Sequence, residues 1–299
     1  MRGADQRAAD EESLALRFDP SARRREGRYF TPAALVDFSL QLASAHLPRD
    51  RPLAIVDPSC GAGAFLLSAH RLFPRARLFG LELSKAIAAE CRRRVPAATV
   101  ISADALQADL PRLLDQIPPG VFELWVGNPP YNGTSSLLQD ARGYRAIRGL
   151  LPSSASTPPG TSLRDDFAFF LLLAAERLRN RDGALAFITS ATLLDAYLYS
   201  QLRRAMLAAL SLREAVDLGA GVFRGTRVRT CLTVWRSQSS SSHPPRFRGR
   251  PAAPKAAFHV SQLEAPAVFT PGAPDWKLRP SCPEAERLDQ RWRRHGEPL

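Results

Sequence analysis

Asn128-Pro129-Pro130-Tyr131 combines residue types that can grip an amino group. Two consecutive prolines bar a helix and leave fixed backbone carbonyls that carry no N–H of their own. An Asn side-chain oxygen and the carbonyl of Pro129 can both accept hydrogen bonds from one NH₂ group, and Tyr131 offers a flat face on which a planar ring can stack. The set therefore suits an amine held on an aromatic or amide system. Asn-Pro-Pro taken alone is also the makeup of an ordinary strand-ending turn. Its context decides between the two: the preceding run, Val121-Phe122-Glu123-Leu124-Trp125-Val126, is a short apolar stretch of the kind that forms a buried parallel strand. Ligands of open α/β sheets bind beyond the carboxyl ends of such strands.

Three acidic positions and a glycine turn stand upstream, each at the end of a strand-like run. Asp57-Pro58-Ser59-Cys60-Gly61-Ala62-Gly63-Ala64-Phe65-Leu66 follows the first strand and opens a helix. Gly61 and Gly63 let the backbone bend and approach a ligand, and the helix amides behind them favour a carboxylate or phosphate. Glu82 ends the strand in Leu78–Leu83, where it can accept bonds from both hydroxyls of a ribose; the alternative is that it caps the helix containing Ala86–Arg93. Asp104 follows a third strand, placed to accept from an adenine amino group or to cap. In this order the acids and the turn outline a pocket for S-adenosylmethionine, with Asp57 at the methionine end, Glu82 at the ribose and Asp104 at the adenine.

These positions need a scaffold, and the chain alternates short β-like runs with helical patterns. The runs are Leu53–Val56, Arg77–Leu81, Thr99–Ile101, Phe122–Val126, Ala184–Thr189, Arg213–Leu218 and Thr230–Trp235. Such alternation predicts an α/β fold with a mostly parallel sheet and helices on both faces. Residues 132–163 form a long Ser/Pro-rich loop directly after the Asn-Pro-Pro-Tyr segment, and loops of that length are usually functional lids or disordered. At 299 residues and 45% hydrophobic, the chain can bury a full core. It shows no span of ~18 apolar residues and no signal-peptide pattern, so a soluble, cytoplasmic protein is expected, with no membrane partner. Cys60, Cys91, Cys231 and Cys282 are scattered, and neither they nor the five histidines show metal-ligand spacing, so no metal is expected. The net charge of +12 suits a polyanionic partner. Apart from Lys85, Lys255 and Lys277 that positive charge is all Arg, which GC-rich coding would also produce.

The assembled motifs resemble those of amino-group DNA methyltransferases of restriction-modification systems, of the type that modifies adenine N6. The resemblance covers residues 27–235. Gly27-Arg28-Tyr29-Phe30-Thr31-Pro32 is similar to the family's N-terminal cofactor motif, Asp57–Phe65 to its principal cofactor loop, and Asn128–Tyr131 to its catalytic motif. Asp165–Phe170 and Gly183–Thr189 match the following helix entry and strand, and Gly221–Val228 the late hairpin in which a Phe stacks on the flipped base. A cofactor motif ahead of the catalytic motif is the specific part of this pattern.

The resemblance implies a Rossmann-like class I S-adenosylmethionine-dependent methyltransferase, with a mostly parallel seven-stranded sheet and a late antiparallel hairpin. Its cofactor would be held by Tyr29, Thr31, Pro32, Asp57, Ser59, Gly61, Gly63, Phe65, Glu82, Asp104 and Asn128. Asn128, Pro129, Pro130 and Tyr131 would be catalytic. A flipped adenine of double-stranded DNA would lie between Tyr131 and Phe223, with Arg224 and Arg227 at phosphates beside it. Asp165-Asp166 is read as a helix cap. The expected organisation is a polar leader (1–26), a catalytic domain (27–236), a Ser/Pro/Arg-rich linker (237–257) and a short C-terminal segment (258–299), a remnant or start of a target-recognition region. Sequence specificity is then supplied by a separate specificity or restriction subunit, lost by shortening, or weak. Rival readings are a methyltransferase of guanine N2 in ribosomal RNA or of protein glutamine, and a non-catalytic methyltransferase-like subunit.

Overall fold

The computed structural model describes residues 31–106, 113–131, 165–223, 228–238 and 244–248, and the backbone of 267–268. The leader, Tyr29, the 132–163 loop, Arg224, Arg227 and most of the linker and C-terminal segment lie outside the described residues.

All seven expected strands form: β1 (Leu53–Asp57), β2 (Arg77–Glu82), β3 (Ala98–Ser102), β4 (Phe122–Gly127), β5 (Gly183–Ser190), β6 (Leu210–Gly219) and β7 (Thr230–Ser237). Two short strands, β8 (Arg246–Arg248) and β9 (Ala267–Val268), extend the sheet, whose order is β3-β2-β1-β4-β5-β7-β6-β8-β9. β3 to β5 run parallel, and β7 enters antiparallel between β5 and β6. Strand order reverses between β1 and β4, which opens the crevice where α/β sheets bind ligands.

The central strands are apolar throughout because both faces are covered. Along β4, Trp125 enters one core while Phe122, Leu124 and Val126 enter the other; along β5, Leu185 and Phe187 oppose Ala184, Ala186 and Ile188. Helix α1 (Ala33–Ser44), α2 (Ala64–Leu72) and α3 (Lys85–Arg94) cover the face of Leu124. The other face takes α4 (Asp166–Arg179), the short α5 (Thr192–Asp195) and α6 (Ser200–Ala209). Among the described residues, no helix is long and apolar enough to cross a membrane.

Arg246–Arg248 departs from the linker expected there. Phe247 packs against the core, Arg246 forms an ion pair with buried Glu214, and the strand hydrogen-bonds beside β6. A Ser/Pro/Arg-rich composition hides such a strand because its fixing partner is more than thirty residues away.

A second charge inside the sheet also escaped the sequence reading. Glu123 on β4 is fully buried and accepts from Arg177 Nη2 at 2.8 Å, from Arg177 Nε at 3.1 Å, and from the Trp125 indole at 3.2 Å. Removing Arg177 leaves buried Glu123 with the longer ion pair to Arg181 Nε at 3.8 Å, an incomplete compensation for its charge. Arg177→Ala should lower the unfolding free energy in denaturant titration by roughly 3 kcal/mol, and the double change Glu123→Leu, Arg177→Met should cost less than that single one.

Candidate active site

The crevice is built where β1 and β4 end side by side. Asp57 closes β1 with its side chain buried, and its Oδ1 accepts from Ser59 N at 3.1 Å. A Cβ on Gly127, which ends β4, would stand only 2.9 Å from that same Oδ1, so a side chain there would have to push the acid aside. Burial pushes the Asp57 carboxyl up to about 8, against the bond from Ser59, with the charge of Glu82 adding to the rise.

The loop behind Asp57 is held by its neighbour strand. Glu82 ends β2 and accepts from Gly61 N at 3.2 Å and from Ser84 N at 2.8 Å. It therefore does not cap α3; that position belongs to Ser84, whose Oγ accepts from Ile87 N. Gly63 opens α2 at φ 85°, and a Cβ on it would meet Cys91 Sγ at 2.7 Å. The thiols of Cys60 and Cys91 lie 3.8 Å apart beneath this loop. Ser59 Oγ is buried and without a hydrogen-bond partner among the described residues, an acceptor and donor left for a ligand. Asp104 lies just past β3, and its Oδ1 accepts from Leu106 N at 2.9 Å in a turn.

Asn128 follows β4 with its amide held at both ends. Its Nδ2 donates to Thr31 Oγ1 at 3.2 Å, and its Oδ1 accepts from the Tyr131 hydroxyl. The Thr-Pro segment before α1 is thus brought onto the Asn-Pro-Pro-Tyr segment, 97 residues apart in sequence. Pro32 supplies the N-terminal turn, its carbonyl accepting from Leu35 N and Val36 N. Pro129 is buried, while Pro130 and Tyr131 are partly exposed.

The Tyr131 ring rests edge-on against Phe167, centroids 6.4 Å apart, and Phe167 lies 5.1 Å from Tyr199. The Tyr199 hydroxyl donates to Asp165, and burial raises its pKa above the ordinary tyrosine value. Asp165 was expected to cap α4; it occupies the capping position, but makes no side-chain capping bond there and serves Tyr199 instead. This aromatic support was not legible because its members are far apart in sequence.

Two of the aromatic residues expected at the site, Phe65 and Phe223, are 3% and 2% exposed, and both rings sit in the apolar core on the α2 side.

Residues 11–243 match the N-6 DNA Methylase family. The chain belongs to that family. Among curated relatives, it is 29% identical to the type II methyltransferase M.XamI of Xanthomonas campestris pv. amaranthicola, over 93% of this chain and 52% of the relative. It is 25% identical to the modification methylase CviBIII of Paramecium bursaria Chlorella virus NC1A, over 71% and 50%. The chain therefore spans about half the length of these curated relatives. Among solved structures, the fold resembles a chain of the DrdV–DNA complex (TM-score 0.62, 19% identity, 88% of this chain and 32% of that one). It also resembles the methyltransferase subunit of a type I restriction-modification system from Streptococcus thermophilus (TM-score 0.56, 19% identity, 92% and 55%). The class I methyltransferase fold expected from the N-6 DNA methylase motifs is the one observed.

Asp57 gives the fold a pH signature. Its folded pKa is raised from 3.8 to about 8, so the protonated form is favoured on folding. Its stabilising contribution is complete below about pH 4 and is lost as pH rises toward about 8. Asp57→Asn, which stays neutral, should raise the melting temperature relative to wild type at pH 8 to 9, with the difference vanishing near pH 4.

Proposed function

We propose that the chain is a DNA methyltransferase that moves a methyl group from S-adenosylmethionine to the N6 atom of a flipped adenine, in a restriction-modification setting. The observation that carries this reading is the Asn128 amide, held by Thr31 at the switch-point crevice beside the buried acid Asp57. Family membership and the modification methylases among its relatives support it. They do not favour the guanine N2 or glutamine readings.

Asp57 and Ser59 fit the amino-acid end of S-adenosylmethionine. A carboxyl that burial keeps near a pKa of about 8 ionises readily when an ammonium group arrives, and Ser59 Oγ has its hydrogen bonds free to give. Glu82 and Asp104 stand at the next two strand ends, suited to the ribose hydroxyls and the adenine. Bound S-adenosylmethionine would supply an electrophilic methyl on a sulfonium.

The chain's own work is to prepare the amine. The N6 lone pair is delocalised into the adenine ring, which makes it a poor nucleophile. Asn128 Oδ1 and the Pro129 carbonyl accept hydrogen bonds from its two N–H groups, favour a pyramidal nitrogen, and stabilise the positive charge that develops on it. Tyr131 stacks on the base while Phe167 keeps its ring upright. The target atom is unreachable within a duplex, so the base is extruded first.

Incubating the chain with labelled S-adenosylmethionine and unmethylated duplex DNA, followed by nucleoside analysis, should yield N6-methyladenine. Asn128→Ala should abolish transfer and leave cofactor affinity within about twofold; equal loss of both would remove Asn128 from its catalytic role. Thr31→Val should lower kcat about tenfold, on the order of one lost hydrogen bond, and Thr31→Ser should restore it.

A further inference from the structure

Phe223 is buried, yet an aromatic side chain does stand free at the same edge of the sheet. β4 and β5 are parallel neighbours, so the residues after Ser190 emerge on the edge that carries Asn128. They form α5 and a tight turn, Tyr197–Tyr199. Leu193, Leu194 and Tyr199 are buried, and Leu198 packs against the core. Tyr197 is 71% exposed. Its neighbour Tyr199 is linked by the Phe167 ring to Tyr131, so the turn that carries Tyr197 stands at the same end of the sheet as Tyr131.

The turn that displays this ring is rigidly made. Arg203 of α6 is fully buried, and its Nη1 donates to the carbonyls of Ala196 at 2.8 Å and Leu193 at 3.2 Å. Burial pulls the Arg203 pKa down to about 10. Ala191 N, at the start of the segment, donates to Arg229 O at 2.9 Å, fixing it to the foot of the β6–β7 connection. The charge of Asp195 acts on the same guanidinium, and the two carbonyl bonds hold the turn that displays Tyr197.

We propose that Tyr197 is a DNA-contacting residue that stacks on a base face exposed at the edge of the site when the target adenine leaves the duplex. This rests on the function proposed above and adds a contact surface to it. A base face is the fitting partner, since an aromatic ring stacks on any base whatever the sequence. Stacking also carries no charge, so it contributes affinity without adding to the salt dependence.

The test is duplex binding by the full chain, with fluorescein-labelled unmethylated DNA followed by anisotropy in the presence of S-adenosylhomocysteine. Tyr197→Ala should raise Kd about tenfold or more, with the slope of log Kd against log salt unchanged, S-adenosylhomocysteine affinity unchanged by calorimetry, and the melting curve intact. Tyr197→Phe and Tyr197→Trp should bind within about twofold of wild type. If wild type binds the duplex and Tyr197→Ala binds it equally well, the stacking role is wrong while the methyltransferase reading stands. Unchanged DNA binding with altered self-association in light scattering would assign the ring to a protein contact and likewise overturn the proposal. If wild type binds S-adenosylhomocysteine but no duplex, the contact proposed for this chain is overturned.

Discussion

The close approach of the Asp57 carboxyl to the backbone of Gly127 is the constraint around which the crevice is arranged. β1 and β4 diverge in topology at this point, and their parallel pairing brings both strand ends together. A Cβ on Gly127 would stand 2.9 Å from Asp57 Oδ1, and the φ of +154° strains any other residue, so a side chain here would displace the acid. Once buried, the carboxyl holds its proton strongly and becomes sensitive to any cation placed beside it. The same chain step that leaves room for Asp57 delivers Asn128 to the rim one residue later. Position of the acid and position of the amide are thus one geometric decision, made by a single glycine.

The glycine loop shows how the other acids share the work of folding and binding. Glu82 accepts from Gly61 and Ser84 amides, so it joins β2 to the loop that leaves β1. A carboxylate already held by backbone donors is pre-oriented, and a ligand hydroxyl reaching it need not order a free side chain. Ser59 shows the opposite state, its hydroxyl buried and unpartnered among the described residues. An unmet buried hydroxyl costs on the order of 1 kcal/mol or more, and a bound ligand would recover that cost. Local instability of this kind is the usual companion of a binding site.

Strands and motifs were readable because their signals are local. Apolar runs such as Phe122–Val126 and Ala184–Thr189 declare buried parallel strands, and a Gly-x-Gly turn or two prolines constrain the backbone over a few residues. The resemblance carried by those motifs supplied the order of the site. What escaped reading depends on partners distant in the chain. Glu123 in an apolar strand makes sense only with Arg177 placed over it, 54 residues on. Asp165 has the composition and position of a cap, yet Tyr199 takes its carboxylate. Phe223 sits in a hairpin segment whose pattern suits either a base or a core, and packing chose the core. Arg246–Arg248 lies in a composition typical of linkers, and its strand is fixed by Glu214 and the edge of β6.

The Asn128 amide also explains how a site can be rigid before its substrate arrives. With Nδ2 on Thr31 and Oδ1 accepting from Tyr131, both polar ends have a partner. In the proposed reaction the amine takes the second lone pair of Oδ1, beside the Tyr131 hydroxyl. As the nitrogen gains positive charge that bond becomes charge-assisted and roughly twice as strong. The strengthening favours the transition state over the bound substrate, which is the condition for raising kcat and not only affinity. Thr31 matters to this balance because it anchors the end of the amide that faces away from Tyr131.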